Sequence, residues 1–350
     1  MTHTPAPGGA PRAARSAPPP AARRAHPLWR ALGRRAAQGA LVVAAVATLT
    51  FVLAHLAPGD PIGAAAANPL VTESVRDRWR EAWGLDRPLP EQYLRYLVSV
   101  ARGDLGWSFS MQEPVRDVLA RALPNTLLLM GTAFVLAFAV GVAAGALQAA
   151  RRGSTPDRAL GALSLVLYSV PDFWLALMVM LSLAYWVPLF PVGGVVDPVM
   201  HELLPPLGRL ADRLRHLALP ALTLTLLYSA GVARFQRAAL LDALRADYVR
   251  TARAKGAPER AVVGRHALRN ALLPVITLVG LAFPTLLGGA VFVEQVFSWP
   301  GMGWVAVKAV AMRDYPLVLA SVLVGSVMVV AGSAIADACY AAADPRLRAE

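Results

Sequence analysis

The chain has 350 residues, 56% of them hydrophobic, and a positive mean hydropathy; this composition excludes an ordinary soluble domain and marks an integral membrane protein. A net charge of +12 would suit nucleic acid, but the surplus arginines flank apolar stretches, where the positive-inside bias concentrates them, so membrane lipid and docking partners account for it and nucleic acid does not. The single cysteine, Cys339, excludes an intramolecular disulfide and a cysteine-cluster metal site, and the six histidines stand at no ligand spacing, so no metal is implied.

Residues 1–35 are rich in Pro, Ala, Gly and Arg and read as a disordered basic tail. The apolar stretch 36–57 has 22 residues, too many for the roughly 7–15 of a cleaved signal peptide and enough to cross a bilayer. An uncleaved first span is expected there. The next segment, 58–121, carries eight Arg against nine Asp/Glu, with Trp79, Trp83, Tyr93, Tyr96 and Trp107 among them. It reads as a small helical cap on the outer membrane face, either touching a substrate-delivery protein or serving as an interfacial scaffold anchored by Trp and Tyr.

A five-helix core is expected over 122–340, with spans at 125–149, 159–188, 217–234, 271–293 and 316–337, followed by a short tail, 341–350. The fold class is therefore an all-α integral membrane protein of six transmembrane helices with a small outward-facing helical segment after the first. Six spans put both termini on one side. Arg12, Arg15, Arg23, Arg24, Arg30, Arg34 and Arg35, then Arg151, Arg152 and Arg158, then Arg346 and Arg348 share that side with the loop 239–270, and the bias identifies it as cytoplasmic. Gly141 and Gly145 form a GxxxG in the second span that permits close helix packing.

The third span is expected to break at Pro171, with Asp172 just inside. A carboxylate at this depth needs a partner or water. Two readings stand: Asp172 bonds the freed N–H groups of a resumed half-helix, or it faces a translocation path and meets a cationic amino group. Away from the span ends the other spans offer almost no ionisable side chain, which argues against an ion-coupled carrier.

Between Ala239 and Leu273 a basic helix–Gly–helix segment separates two spans. Leu240, Leu241, Leu244 and Tyr248 recur at helical spacing, Gly256 suits a helix-ending turn through positive φ, Pro258 suits the start of a second helix, and Val262, Val263, Leu268 and Leu272 give that helix an apolar face. Seven Arg/Lys against three Asp/Glu leave residues 239–270 at +4. Such a segment is a docking loop. The chain cannot burn ATP itself: a phosphate-binding loop needs Gly-Lys-Ser/Thr, whereas Lys255 precedes Gly and Lys308 precedes Ala. Further on, Trp299-Pro300-Gly301-Met302-Gly303 predicts a turn into a short helix ending near Asp314. No nucleophile–base pair is present and no catalysis is expected.

The stretch DYVRTARAKG (247–256) with RHALRNALLPV (265–275) resembles the coupling loop of membrane permease subunits of binding-protein-dependent ABC importers, the dipeptide/oligopeptide/nickel group. GLDRPLPEQYLRYL (84–97), GDLGWSF (103–109), SVPDFWLAL (169–177), VEQVFSWPGMGWVAV (293–307), RDYPLV (313–318) and DPRLR (344–348) extend the resemblance over about 36–346. In the wider superfamily the loop reads EAA-x3-G-x9-I-x-LP. Here Arg250, Thr251 and Ala252 hold the EAA positions and Gly256 the glycine, while His266, Leu268 and Arg269 replace the I-x-LP end.

The resemblance implies a type I ABC importer permease forming half of a translocation pathway for peptides, in the bacterial inner membrane. It also implies a second homologous permease, two ATPase subunits and an extracytoplasmic solute-binding protein. ATP and Mg would be bound by the partner ATPases, with no cofactor on this chain. Asp247, Arg250, Thr251, Ala252, Lys255, Gly256, Arg260 and Arg265 are the implied ATPase-coupling residues. A nickel- or glutathione-type permease and a self-contained secondary carrier are the alternatives.

Overall fold

The computed structural model describes residues 28–56, 72, 86–276, 278–279, 282 and 290–343, with side chains for 33–56, 72, 86–276, 278–279, 282 and 290–336. The greater part of both expected tails, Trp79, Trp83, the Cys339 side chain and stretch 283–289 of the expected fifth span lie outside the described residues.

Helix α1, Leu28–Leu56, is followed by α2, Leu89–Ala101, and by a two-stranded antiparallel ribbon of β1, Trp107–Ser108, and β2, Glu113–Pro114. The ribbon is an addition to the all-α expectation. Gly103, Gly106 and Gln112 take positive φ and turn the backbone. Asp314, 1% exposed, then fixes it: Ser108 Oγ, Ser110 N–H and Ser110 Oγ donate to its Oδ2 at 2.6, 2.9 and 2.8 Å.

Helix α3, Val115–Ala150, leads into α4, Thr155–Ser169, and α5, Asp172–Met180, which continues through a π turn, Leu181–Trp186. Helix α6, Pro206–Arg245, precedes α7, Asp247–Ala254. Then α8 covers 259–271, built of Glu259–Ala261, a π segment Val262–Ala267 and Leu268–Ala271. Helices α9, Val291–Val296, α10, Met302–Ala311, and α11, Tyr315–Ala343, complete the described chain. Among the described residues four helices are long and apolar enough to cross a membrane, and the bent pair α4–α5 makes a fifth.

Two helices outrun their expected spans. With 36 and 40 residues, α3 and α6 are about 54 and 60 Å long at ~1.5 Å per residue, against a hydrocarbon slab of about 30 Å. Hydropathy falls after Arg234, but the Ala- and Leu-rich stretch 238–245 holds no glycine or proline, so nothing stops the helix. Leu240, Leu241 and Leu244 therefore belong to the end of α6 and not to a separate loop helix with Tyr248, which falls in α7.

Packing between α3 and α6 explains the GxxxG. A Cβ on Gly145 would stand 2.4 Å from the Ala233 carbonyl oxygen, and one on Gly141 2.6 Å from Val232 Cβ. These glycines let two helices of the same chain touch backbone to side chain. Farther along the same pair, Leu129, Met130 and Ala133 of α3 join Leu219, Ala221 and Leu224 of α6 in the largest apolar core.

The Trp299–Gly303 turn leads into α10, as its composition predicts. It is built around Glu294, which is fully buried. Thr126 Oγ1 donates to Oε1 at 2.7 Å, and the Trp304 N–H donates to Oε2 at 2.9 Å, so the carboxylate sits at the positive end of α10. The Trp299 indole donates to the Asn125 carbonyl, and the Asn125 amide donates to that of Pro300, both at 3.0 Å. Gly301 is obligatory here, since a Cβ would lie 2.5 Å from the Glu294 carboxylate.

At the N-terminal end of α6, His201 and His216 turn Nδ1 toward Asp212 at 2.6 and 3.2 Å. Fifteen residues apart in sequence, they share one carboxylate that fastens the 3-10 turn His201–Leu203 to α6. Among the described residues no group of three or more His, Cys, Asp or Glu is placed to hold a metal.

Candidate functional site

The helix–Gly–helix loop is a compact corner. Ala246, extended at ψ 151, ends α6, and α7 turns back with Val249 and Ala252 buried. Gly256 takes φ +78. Its N–H donates to the Arg253 carbonyl at 2.9 Å, and the Ala257 N–H donates to that of Ala252 at 3.2 Å, the two bonds of a Schellman ending. Pro258 caps the following helix, one position earlier than expected, and Glu259 opens it.

Arg253 and Glu259 close the corner: Nη2 and Nε donate to the two carboxylate oxygens at 2.7 and 3.2 Å. That hydrogen bond holds the Glu259 carboxyl below the usual carboxylate range, with the guanidinium charge adding to the effect and desolvation opposing it. Beneath the corner, Val249, Ala252, Val262, Ala267 and Ala271 pack on Ala149 of α3 and Leu240 of α6. The loop is thus mounted directly on the ends of the two longest helices.

Its other face is polar and open. Asp247, Arg250, Thr251, Lys255, Gly256, Arg260 and Arg265 are all exposed, and the one ion pair among them joins Asp247 and Arg250 at 3.6 Å. Ala252 is the exception, turned inward against the loop's own core. Two pairs escaped the sequence reading. Arg253 and Glu259 lie six residues apart and meet only because Gly256 folds the chain between them. Arg237 of α6 donates from Nε and Nη2 to Asp157 of α4 at 2.8 and 3.0 Å, while the Gly153 N–H donates to Asp157 Oδ2 at 2.9 Å. No local spacing announces that pair, which is separated by 80 residues.

The third span breaks where Pro171 stands, and α4 and α5 meet at 110°. Asp172 is the first residue of α5, but its carboxylate makes no hydrogen bond among the described residues, so the hydrogen-bonded cap is not formed. The side chain is exposed and borders a cavity of about 220 Å³ with Tyr228 of α6 and Ala290–Val293. Placing a carboxylate against hydrocarbon costs about 2.5–3.5 kcal/mol on insertion scales, which argues for water or protein over this face. One turn before the break, Tyr168 lies under the Arg234 guanidinium, 5.2 Å from ring centroid to Cζ.

Residues 137–349 match the family described as the binding-protein-dependent transport system inner membrane component, and 28–130 match its N-terminal companion. The chain belongs to this family. It is a multi-pass membrane transport subunit and not an enzyme. An oligopeptide transport system permease protein of Bacillus subtilis is 39% identical over 315 residues, 90% of this chain and 98% of the relative. The dipeptide permease protein of Escherichia coli K12 is 38% identical over 319 residues, and a glutathione permease protein of another Escherichia coli strain is 40% identical over 303. Each of these two alignments covers 87% of this chain and 94% of the relative.

Proposed function

We propose that this chain forms half of the translocation pathway of an ATP-driven importer of di- or oligopeptides, with a second homologous permease as the other half. Two ATPase subunits, which hold ATP and Mg, dock on the loop around Gly256, and an extracytoplasmic solute-binding protein delivers the peptide. Both termini and the loop face the cytoplasm. Relatives named for oligopeptides, dipeptides and glutathione support a small-peptide substrate.

The observation that carries this reading is the mounting of the loop. Its apolar side is spent on α3 and α6 of its own chain, while exposed Arg250, Lys255, Arg260 and Arg265 leave a basic, rigid outer face. A partner seated there moves α3 and α6 directly, and α6 carries Tyr228 beside Asp172. Within the loop, Asp247, Thr251 and Gly256 shape the contact face and Ala252 supports it from below.

The test is co-purification of tagged chain from native membranes in mild detergent, with retained partners identified by mass spectrometry. A second permease and a P-loop ATPase are expected. Doubling the exposed-face change, Arg250→Glu with Arg260→Glu, should release the ATPase and keep the permease. A chain that purifies alone and moves solute without ATP would overturn the reading.

A further inference from the structure

Arg234 stands out among the groups bordering the broken span. Its guanidinium is exposed and forms no ion pair or hydrogen bond among the described residues; its recorded contact is the face of Tyr168. Tyr168 itself is 65% exposed. A guanidinium held over an aromatic face keeps its N–H donors free, and those donors match a carboxylate two to two. Asp172 is the complementary case, an exposed carboxylate without a hydrogen bond beside the Tyr228 hydroxyphenyl group. Two opposite charges thus flank one helix break, Arg234 over the Tyr168 ring and Asp172 lining a cavity with Tyr228, and neither neutralises the other.

Their spacing follows from α6. Tyr228 and Arg234 are six residues apart on that helix, a rise of about 9 Å with about 600° of rotation, so their side chains leave α6 about 120° apart and the Arg234 guanidinium is brought to the break by its contact with Tyr168. Extended peptide covers about 3.3–3.6 Å per residue, so ~9 Å corresponds to the ends of a two- to three-residue peptide. We propose that Tyr168 and Arg234 form the carboxylate-binding end of a two-ended peptide site whose ammonium-binding end is Asp172 with Tyr228. This rests on the peptide-importer reading above. It assigns the permease a selection of its own for short peptides with both termini free.

Competing with it is a plainer role for Arg234, a cation anchoring α6 at the membrane boundary. Uptake into vesicles holding the reconstituted complex separates the two. The probes are Ala-Phe, its C-terminal amide and its N-acetyl form, each supplied on the same saturating solute-binding protein. Because one binding protein serves every variant, a change in the ratio of uptake rates belongs to the permease. Wild type should favour the free acid over the amide, and Arg234→Gln should collapse that preference by roughly 10- to 100-fold, as expected for a charge-assisted hydrogen-bonded pair.

Arg234→Lys keeps the charge and the anchor but not the planar fork. It should insert normally and lose the preference of free acid over amide. Asp172→Asn should instead shift the ratio of free to N-acetyl peptide. Equal loss of acid and amide in Arg234→Gln, with the preference retained in Arg234→Lys, makes Arg234 a boundary anchor and overturns the proposal while peptide import stands. Absence of ATP-dependent uptake of any of the three by wild type overturns both.

Discussion

Glu259 and Arg253 meet across Gly256, and their geometry makes the loop's order depend on acid in a defined direction. The Glu259 carboxyl is held below its ordinary value, chiefly by the hydrogen bond from Arg253. Stabilisation from a lowered carboxyl is therefore complete above the unfolded value of about 4.3 and disappears as pH falls through the lower folded value. Spin labels at Arg250 and Arg260 should give one narrow distance distribution from pH 6 to 8 that broadens as the pH falls through and below the carboxyl's lowered folded value. Glu259→Gln should broaden it already at pH 7. A distribution indifferent to both changes would show that the pair does not hold the corner.

The neighbouring glycine was readable in the sequence, because a helix ending on Lys-Gly-Ala-Pro needs a left-handed residue and φ +78 supplies it. The break at Pro171 was readable for a similar local reason, the missing N–H and fixed φ of proline. Glu294 and Asp314 were not. Their partners Thr126 and Ser108 lie 168 and 206 residues away, and no local pattern connects them. The role of Asp172 divided in the same way: its place at the start of a half-helix followed from Pro171, whereas its unbonded carboxylate beside Tyr228 depends on how α6 passes.

Among the elements, the pair α3–α6 sets the frame on which the loop is mounted. Hydropathy marked where these helices enter lipid but not where they end, since Ala, Leu and Arg continue a helix beyond an apolar window. The GxxxG was visible as a motif; only the structure assigns it to contact within the chain. Gly145→Leu would push side-chain atoms into the Ala233 carbonyl oxygen, 2.4 Å from the first added atom. Overpacking of this kind costs about 1–3 kcal/mol. Gly131 on the same helix has open space around its Cβ position, so Gly131→Leu is the control. Thermal unfolding of the detergent-solubilised chain should shift down for Gly145→Leu and not for Gly131→Leu. Equal effects would remove close approach as the reason for the motif.

At the scale of the molecule, α6 runs about 60 Å with Pro220 inside it, and no proline interrupts it between Tyr228 and the loop. It carries Asp212 and His216, which hold His201 of the preceding turn, toward one end, Tyr228 and Arg234 midway and Leu240 in the loop core at the other. A movement imposed on the loop therefore reaches the residues around the broken span without passing through a flexible joint. On the proposed reading, Gly256 is where such transmission is most exposed to a single change. Its Cβ position is open within this chain, so a side chain is opposed by the left-handed backbone and by whatever docks there, not by internal contacts. Asparagine tolerates that backbone, whereas a β-branched residue resists it by at least the roughly 1–2 kcal/mol general for L-residues.

The most direct measurement is ATP-driven peptide uptake by the reconstituted complex carrying Gly256→Asn or Gly256→Val, with insertion verified for each. Gly256→Asn should retain most of the wild-type uptake, and Gly256→Val should insert normally but lose uptake together with peptide-stimulated ATP hydrolysis. Full, ATP-coupled uptake by Gly256→Val would contradict the assignment of this loop as the point where an external motor drives the permease.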